Sequence, residues 1–279
     1  MDMLDPQARA RYDAVAAVAR EVVVGLDFDG TLAPIVDDPA AAWIHPDAPA
    51  VLATLAARVR AVAVVTGRPA RQVVELGRLQ EVADDLPPGA RLLVRGQYGN
   101  ELWDSGSREF STPDVPPGLT AFSEELKQLL AEVDAAGAFV EDKGLAVAVH
   151  TRRLSDPAAA FARLAPRLVD AAERHGLGIE PGRLVLEVRA PGMHKGHALR
   201  EVVTGCDAGG VVFVGDDLGD LEAFEAARSL REHGLPVLLV CSGSAEEQAL
   251  ADVSDLVVDG PDGVLALLSR LADDAGPAR

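Results

Sequence analysis

Cysteine is scarce in this chain: only Cys206 and Cys241 occur, far apart in the sequence. They have no metal-ligand or dithiol spacing, which argues against a disulfide scaffold or a zinc module and for a reduced, cytoplasmic setting. Basic residues are also in short supply, with 26 Lys and Arg against 44 Asp and Glu and a formal net charge of −18. That balance argues against nucleic acid or an anionic membrane surface as a partner. It still permits a small anionic substrate, because a few local cations or a bound metal can invert the field inside a pocket. Long uncharged apolar runs are missing, so no segment reads as a membrane span. The opening "MDMLDPQARARYDAVAAVARE" lacks the charged-then-apolar order of a secretory leader and reads as an amphipathic helix. No internal repeat is found, and the one biased stretch is the polar tail "ADDAGPAR".

What the chain does have is apolar material, 48% of 279 residues, enough for one large core or two smaller ones. Strand-like and helix-like runs alternate in the first third: "EVVVGLDF", "APAVLATLAARV", "AVAVVTG", "PARQVVELG", then the strand-like "RLLVRGQYGNELW". The last third alternates again, from "KGHALREVVTG" and "GVVFVGD" through "PVLLVCSG", "AEEQALADV" and "DLVVDG" to "GVLALLSRLA". Alternation of this kind predicts an α/β fold with parallel strands joined by helical crossovers. Between the two stretches, after the Pro-rich "STPDVPPG", two helix–hairpin units follow one another. Helices are expected at 119–135 and 157–175, with strand pairs either side of Gly144 and of Pro181-Gly182. The simplest architecture is a Rossmann-like parallel-sheet core, residues 1–112 and 190–279, interrupted by an α+β insertion at 113–189.

The first stretch that carries chemistry is "VVVGLDFDGTLAPIVDDP", where a buried-looking strand ends in Asp27 and Asp29. Two carboxylates so close repel one another and resist desolvation unless a cation sits with them. Gly30-Thr31 behind them suggests a turn whose amides hold an anion. The alternative is an ordinary turn in which both aspartates cap backbone amides. In an open parallel sheet, ligands gather at the carboxyl ends of the strands. The second strand ends in Thr66-Gly67-Arg68, a late strand ends in Asp216-Asp217, and Lys195 opens the helix before that late strand. Each motif alone is more often a turn or a cap. Together and in this order they suit phosphoryl transfer. Asp27 would be the nucleophile and Asp29 the acid and base for the leaving oxygen and the water. Mg²⁺ held by Asp27, the Asp29 carbonyl and Asp216, with Lys195 and the Thr66 hydroxyl, would neutralise the transferring group.

This motif set resembles the haloacid dehalogenase superfamily of phosphohydrolases. "LDFDGTLAPIVDDP", "VVTGRP", "YGNELW", "VEDKGLAVAVHTR", "LEVRAPGMHKGHAL" and "VFVGDDLGDLEAFEA" further resemble the trehalose-6-phosphate phosphatases, in that family's order over about residues 22–270. The resemblance implies a Mg²⁺-dependent hydrolase of trehalose 6-phosphate in trehalose biosynthesis, linked functionally to the synthase that makes the substrate. It implies a haloacid dehalogenase-type core with the insertion as a cap that sets specificity. It assigns Asp27, Asp29, Asp216 and Asp217 to the metal, and Gly30, Thr31, Gly67, Arg68 and Asn100 to the substrate. Glu141, Lys143 and Glu187 it assigns to the sugar. Strand alternation puts Glu141 and Lys143 on one face, and sets Glu187 and Arg189 opposite Leu184, Leu186 and Val188, so that a charged face stays free for substrate. One departure stands out: relatives read Gly-Asp-Asp-x-Thr-Asp-Glu, and here Gly219 and Leu221 replace the Thr and the Glu, while Asp216, Asp217 and Asp220 remain, so metal binding is expected to persist.

Other readings remain open at this level. The same chemistry could serve sucrose 6-phosphate or mannosyl-3-phosphoglycerate, which a substrate panel separates. A mutase, or a non-catalytic sugar-phosphate sensor, would share the fold, although every catalytic position of the family is present. His45, His150, His194 and His197 lie near the motifs without metal-ligand spacing and receive no metal role.

Overall fold

The computed structural model describes residues 5–36, 38–192, 194–243 and 248–276. The first residues of the opening segment, Asp37 of the first motif, Met193, the start of "AEEQALADV" and the end of the polar tail lie outside the described residues. The chain divides into two compact units, Met1–Thr112 with His194–Arg279, and Pro113–Met193.

The core unit begins with α1 (Pro6–Ala17), β1 (Val22–Leu26), α2 (Ala48–Ala56), β2 (Ala61–Val65), α3 (Ala70–Leu76), α4 (Leu79–Asp85), β3 (Leu92–Gly96), β4 (Glu101–Asp104) and β5 (Phe110–Ser111). The inserted unit follows as α5 (Pro117–Glu132), β6 (Phe139–Asp142), β7 (Ala146–His150), α6 (Pro157–Arg174), β8 (Gly178–Gly182) and β9 (Val185–Arg189). The core resumes with α7 (Lys195–Gly205), β10 (Gly210–Gly215), α8 (Leu221–Glu232), β11 (Val237–Gly243), α9 (Gln248–Ala251), β12 (Leu256–Asp259) and α10 (Gly260–Asp274).

The core sheet has the order β12-β11-β10-β1-β2-β3-β4-β5 and is parallel from β12 to β3. Its central strands are valine-rich and apolar at every position because both faces are covered. Val22, Val24 and Leu26 of β1 pack into one apolar cluster with α2 and α10 residues, while Val23 packs into the other with Leu199, Val202 and Phe224. Gly25 interrupts the run for a steric reason: a Cβ there would stand 2.7 Å from the Phe213 ring on the neighbouring strand.

The inserted unit is a four-stranded antiparallel sheet, β6-β7-β9-β8, with α5 and α6 on one face. Phe122, Leu126 and Leu168 of the helices meet Val147, Val149, Leu186 and Val188 of the sheet. Pro at the first turn of both helices marks their starts, as a residue that needs no amide partner there. At that same end of α6, Asp156 Oδ1 caps the helix by accepting from Ala159 N.

Three local expectations are corrected. The strand-like "RLLVRGQYGNELW" is a hairpin, β3 antiparallel to β4, turned by Gln97, Tyr98 and Gly99 with φ of 49°, 57° and 104°. Helix α4 follows directly on α3 because Arg78 takes a left-handed φ of 51° and starts a new helix where "ELG" marks a stop. The second insertion hairpin turns at Arg183-Leu184, not at Pro181-Gly182, since Gly182 is paired with Val185 and Leu184 has φ 60°.

Candidate active site

Strand order reverses beside β1, with β2 and β3 on one side and β10 to β12 on the other. Connections diverge at such a switch point and leave a crevice at the strands' carboxyl ends. Asp27 follows β1 there and Asp216 follows β10, and Asp27 N still donates to Val214 O at 2.9 Å. A carboxylate oxygen from each of Asp27, Asp216 and Asp220 lies within 4.8 Å of the others. All three residues are buried, Asp220 completely.

Lys195, the first residue of α7, projects among them. Its Nζ donates to Asp27 Oδ1 at 2.7 Å and to Asp220 Oδ1 at 2.8 Å. Asp220 Oδ2 accepts from Asp216 N at 3.0 Å, so one carboxylate ties the lysine to the loop after β10. Burial raises the Asp27 carboxyl well above its ordinary range; Lys195 opposes this while Asp220 and Asp216 add to it. Burial also pushes Asp216 up to about 8, helped by Asp217 and Asp220, and raises Asp220. For Lys195, burial disfavours the charge, but attraction from Asp220 and Asp27 outweighs it and keeps the ammonium protonated. Three buried carboxylates facing one ammonium leave negative charge uncompensated, and an all-oxygen donor set suits a hard divalent cation.

The loop after β1 is shaped around this cluster. Gly30 has φ +67°, and a Cβ would stand 2.0 Å from Asp216 Oδ2, so the position requires glycine on two counts. Ser242 Oγ fixes the loop by donating to Gly30 O at 2.6 Å. Thr31 is fully buried, and among the described residues its Oγ1 has no hydrogen-bond partner, which leaves the hydroxyl able to donate to an anion's oxygen. At the end of β2, buried Thr66 accepts at Oγ1 from Arg68 N at 3.2 Å. Gly67 leaves room for Tyr98, whose ring would stand 2.7 Å from an added Cβ.

Three residues depart from their expected settings. Arg68 lies on Asp29 rather than open to substrate: Nε donates to Oδ2 at 2.6 Å and Nη2 to Oδ1 at 2.7 Å. Asp217, expected on the metal, is exposed and caps the turn after β10 by accepting from Gly219 N at 2.9 Å. Asp220 stands in the carboxylate cluster instead. Asn100 Nδ2 donates back to Gln97 O at 2.9 Å, within its own turn.

In the inserted unit, Glu141 pairs in register with Ala148, Ala148 with Glu187 and Glu187 with Glu180, which sets all three glutamates on one face. Lys143 Nζ donates to Glu187 Oε2 at 2.6 Å, and Arg189 Nη1 to Glu187 Oε1 at 3.4 Å. Glu141 Oε2 lies 3.0 Å from His150 Nε2.

The family model for trehalose-phosphatase matches residues 25–83 and 99–259, which takes in the crevice, Lys195 and the inserted unit. The chain belongs to the trehalose-phosphatase family. The trehalose-phosphate phosphatase of Mycobacterium tuberculosis (strain H37Rv) is 31% identical over 98% of this chain, and that of Mycobacterium leprae (strain TN) 30% identical over 91%. The chain spans 66% of the first protein's length and 58% of the second's. The fold is shared with the C-terminal domain of Candida albicans trehalose-6-phosphate phosphatase, with a TM-score of 0.74, 20% identity and coverage of 97% and 98% of the two chains. It is also shared with a haloacid dehalogenase-like hydrolase from Bacteroides thetaiotaomicron, with a TM-score of 0.66 at 14% identity and coverage of 89% and 98%.

In this member of the trehalose-phosphatase family, sequence reasoning missed two structural contributors to the site, Tyr98 and Ser242. Asp220, kept for the metal with Asp216 and Asp217 as the third aspartate of "GDDLGD", stands in the carboxylate cluster. Tyr98 and Ser242 left no sequence signal, since each reaches the site loops from another strand's end.

Proposed function

We propose that the chain is a Mg²⁺-dependent phosphatase that hydrolyses trehalose 6-phosphate to trehalose and phosphate through an aspartyl phosphate on Asp27. The observation that carries this reading is the buried Lys195 ammonium set between Asp27 and Asp220, with Asp216 beside them. Asp27 is a nucleophile with a cation already at its Oδ1, so its second oxygen is the one to attack phosphorus. A bond forms from that oxygen to phosphorus while the phosphorus–sugar oxygen bond breaks, its electron pair leaving on the sugar oxygen. Asp29 supplies the proton to that oxygen. In the second half, Asp29 takes a proton from water, the water oxygen bonds to phosphorus, and the acyl–phosphate P–O bond breaks to restore the Asp27 carboxylate.

Both duties of Asp29 need a free oxygen, and Arg68 now holds both. A phosphate group competes for the same guanidinium fork, so substrate arrival would draw Arg68 across and release Asp29. The Thr31 hydroxyl, Thr66 and the amides of the Gly30 turn are the remaining phosphate donors. Asp27 and Asp216, with the Asp29 carbonyl, would hold Mg²⁺, which supplies the positive charge that lets a dianionic phosphate lie among carboxylates. Asp220 is assigned to holding Lys195, and Asp217 to the turn. Glu141, Lys143 and Glu187 bind the sugar hydroxyls, carboxylates as acceptors and the ammonium as donor.

Phosphate release tests the proposal on trehalose 6-phosphate, sucrose 6-phosphate and mannosyl-3-phosphoglycerate, with Mg²⁺ and after exhaustive EDTA dialysis. Trehalose 6-phosphate should be preferred and turnover should require the metal. Full activity without Mg²⁺ would refute the mechanism; preference for another ester would refute the substrate.

A further inference from the structure

We propose that the core unit carries a second anion site, a pocket that takes a small organic acid with an apolar body through Arg95 and Arg91. The pocket has a volume of about 290 Å³, with Arg91, Leu93 and Arg95 on the β3 side, Leu102 on β4, and Val202 and Cys206 at the end of α7. None of the crevice residues lines it. Its size is at the lower end for small-molecule sites, and its walls combine apolar side chains with a few charged groups, the usual make-up of such sites.

The guanidinium of Arg95 is the telling group. Its side chain is 18% exposed, and among the described residues no acceptor hydrogen-bonds it; the nearest carboxylate is Glu201, at 3.8 Å. Burial pushes its pKa below the usual arginine value, with Glu201 opposing. A planar five-donor cation desolvated to this degree, with one loosely placed carboxylate and no hydrogen-bonded acceptor among the described residues, is poised for a carboxylate, phosphonate or phosphate that meets its fork directly. Arg91 shares the same strand face four residues earlier, on the order of 13 Å away, with Leu93 between. Arg91 is already engaged, by Asp104 at 3.1 Å and Cys206 Sγ at 3.5 Å. The acid group therefore goes to Arg95, and the apolar body runs over Leu93 and Leu102 toward Arg91. Glu109 and Asp104 add negative charge at the walls, which disfavours a polyanion and favours a single acid group.

The position matters for the crevice. Arg95 O accepts from Thr66 N at 3.0 Å, Gln97 N donates to Arg68 O at 2.9 Å, and Tyr98 N donates to Thr66 O at 2.9 Å. The strand that holds the pocket's cation is thus laced to the loop that carries Thr66 and Arg68.

The probe is 8-anilinonaphthalene-1-sulfonate, an aromatic acid whose fluorescence rises in apolar sites, titrated into the whole chain. One saturable site is expected, weakened at least tenfold in R95Q and partly restored in R95K. E201Q removes the competing carboxylate and should tighten binding, a change of sign that a misfolded variant does not produce. Hydrolysis of p-nitrophenyl phosphate by R95Q at the parent rate checks its fold. Displacement by phenylphosphonate or by benzoate tells a phosphate-type from a carboxylate-type ligand. Equal dye affinity in the parent and R95Q, no saturable binding, or no displacement by either acid would overturn the proposal.

Discussion

Replacing Lys195 with methionine roughly keeps the length of the side chain and removes the cation that Asp27 and Asp220 share. In the folded chain Nζ sits 2.7 Å from Asp27 and 2.8 Å from Asp220, with all three groups buried. Breaking a buried ion pair by deleting one partner costs about 3–5 kcal/mol, because the remaining charge stays desolvated. For a unit of this size each kcal/mol moves the midpoint by about 2–4 °C, so the metal-free variant should melt roughly 6–20 °C lower. Mg²⁺ then has more to offer the variant than the parent, since it meets carboxylates no longer shared with an ammonium. Binding at a hundredfold excess over Kd adds about 2.7 kcal/mol to any protein, and the Mg²⁺-induced rise in Tm should be larger in Lys195→Met. Turnover should stay about 10²–10³-fold down even with saturating Mg²⁺, the usual loss when a fixed donor to a developing charge is removed. Circular dichroism melts with EDTA and with Mg²⁺, alongside phosphate release, read all three quantities. A metal-free midpoint within about 2 °C of the parent would refute the claim that Lys195 neutralises the cluster.

Asp27→Asn should abolish turnover, whereas Asp29→Asn should leave a slow first step and a trapped phosphoprotein; intact-mass measurement after mixing with substrate distinguishes them. Glu187→Ala should lower kcat/KM for trehalose 6-phosphate about ten- to a hundredfold, the loss of a charged hydrogen bond of roughly 1.5–3 kcal/mol, and leave p-nitrophenyl phosphate untouched. Equal loss on both substrates would mean a structural role instead. Tyr12 is 1% exposed and donates to Asp274 Oδ2 at 2.6 Å; burial, then Asp274, raises its pKa above the ordinary 10.0. The folded state keeps a proton that the unfolded state loses, so this contribution is whole below pH 10 and falls as pH rises beyond it. Urea midpoints at pH 8 and pH 11 should therefore differ less in Tyr12→Phe than in the parent.

Much of the site could be read from residue order because its parts fall where β1, β2 and β10 end and α7 begins, and open parallel sheets put chemistry there. The valine runs of β1 and β10 are buried on both faces, so their sequence signal is plain. The parts that escaped depend on groups distant in the chain. Nothing local says that Tyr98 takes a left-handed φ to pack over Gly67, or that Arg68 rests on Asp29 instead of pointing at solvent. The Pro181-Gly182 pair reads as a turn by composition, yet pairing of Gly182 with Val185 moves the bend two residues on. Asp217 and Asp220 are alike as letters. Only the lysine from a distant helix makes one buried and leaves the other a surface cap.

The first core segment and the insertion together separate Asp27 from Lys195 by 168 residues. At synthesis rates of about 5–20 residues per second, β1 waits roughly 10–40 s after leaving the ribosome before α7 and then β10 emerge. Through that interval its β10-side edge is a bare row of valine amides and carbonyls, the kind of edge that recruits other chains. The inserted unit has no such delay, because each of its strands and helices packs on elements close by in the chain. It can fold while the core is still a half-sheet, and growing chains arrested after residue 193 should carry a protease-resistant insert beside a protease-sensitive, chaperone-binding first half.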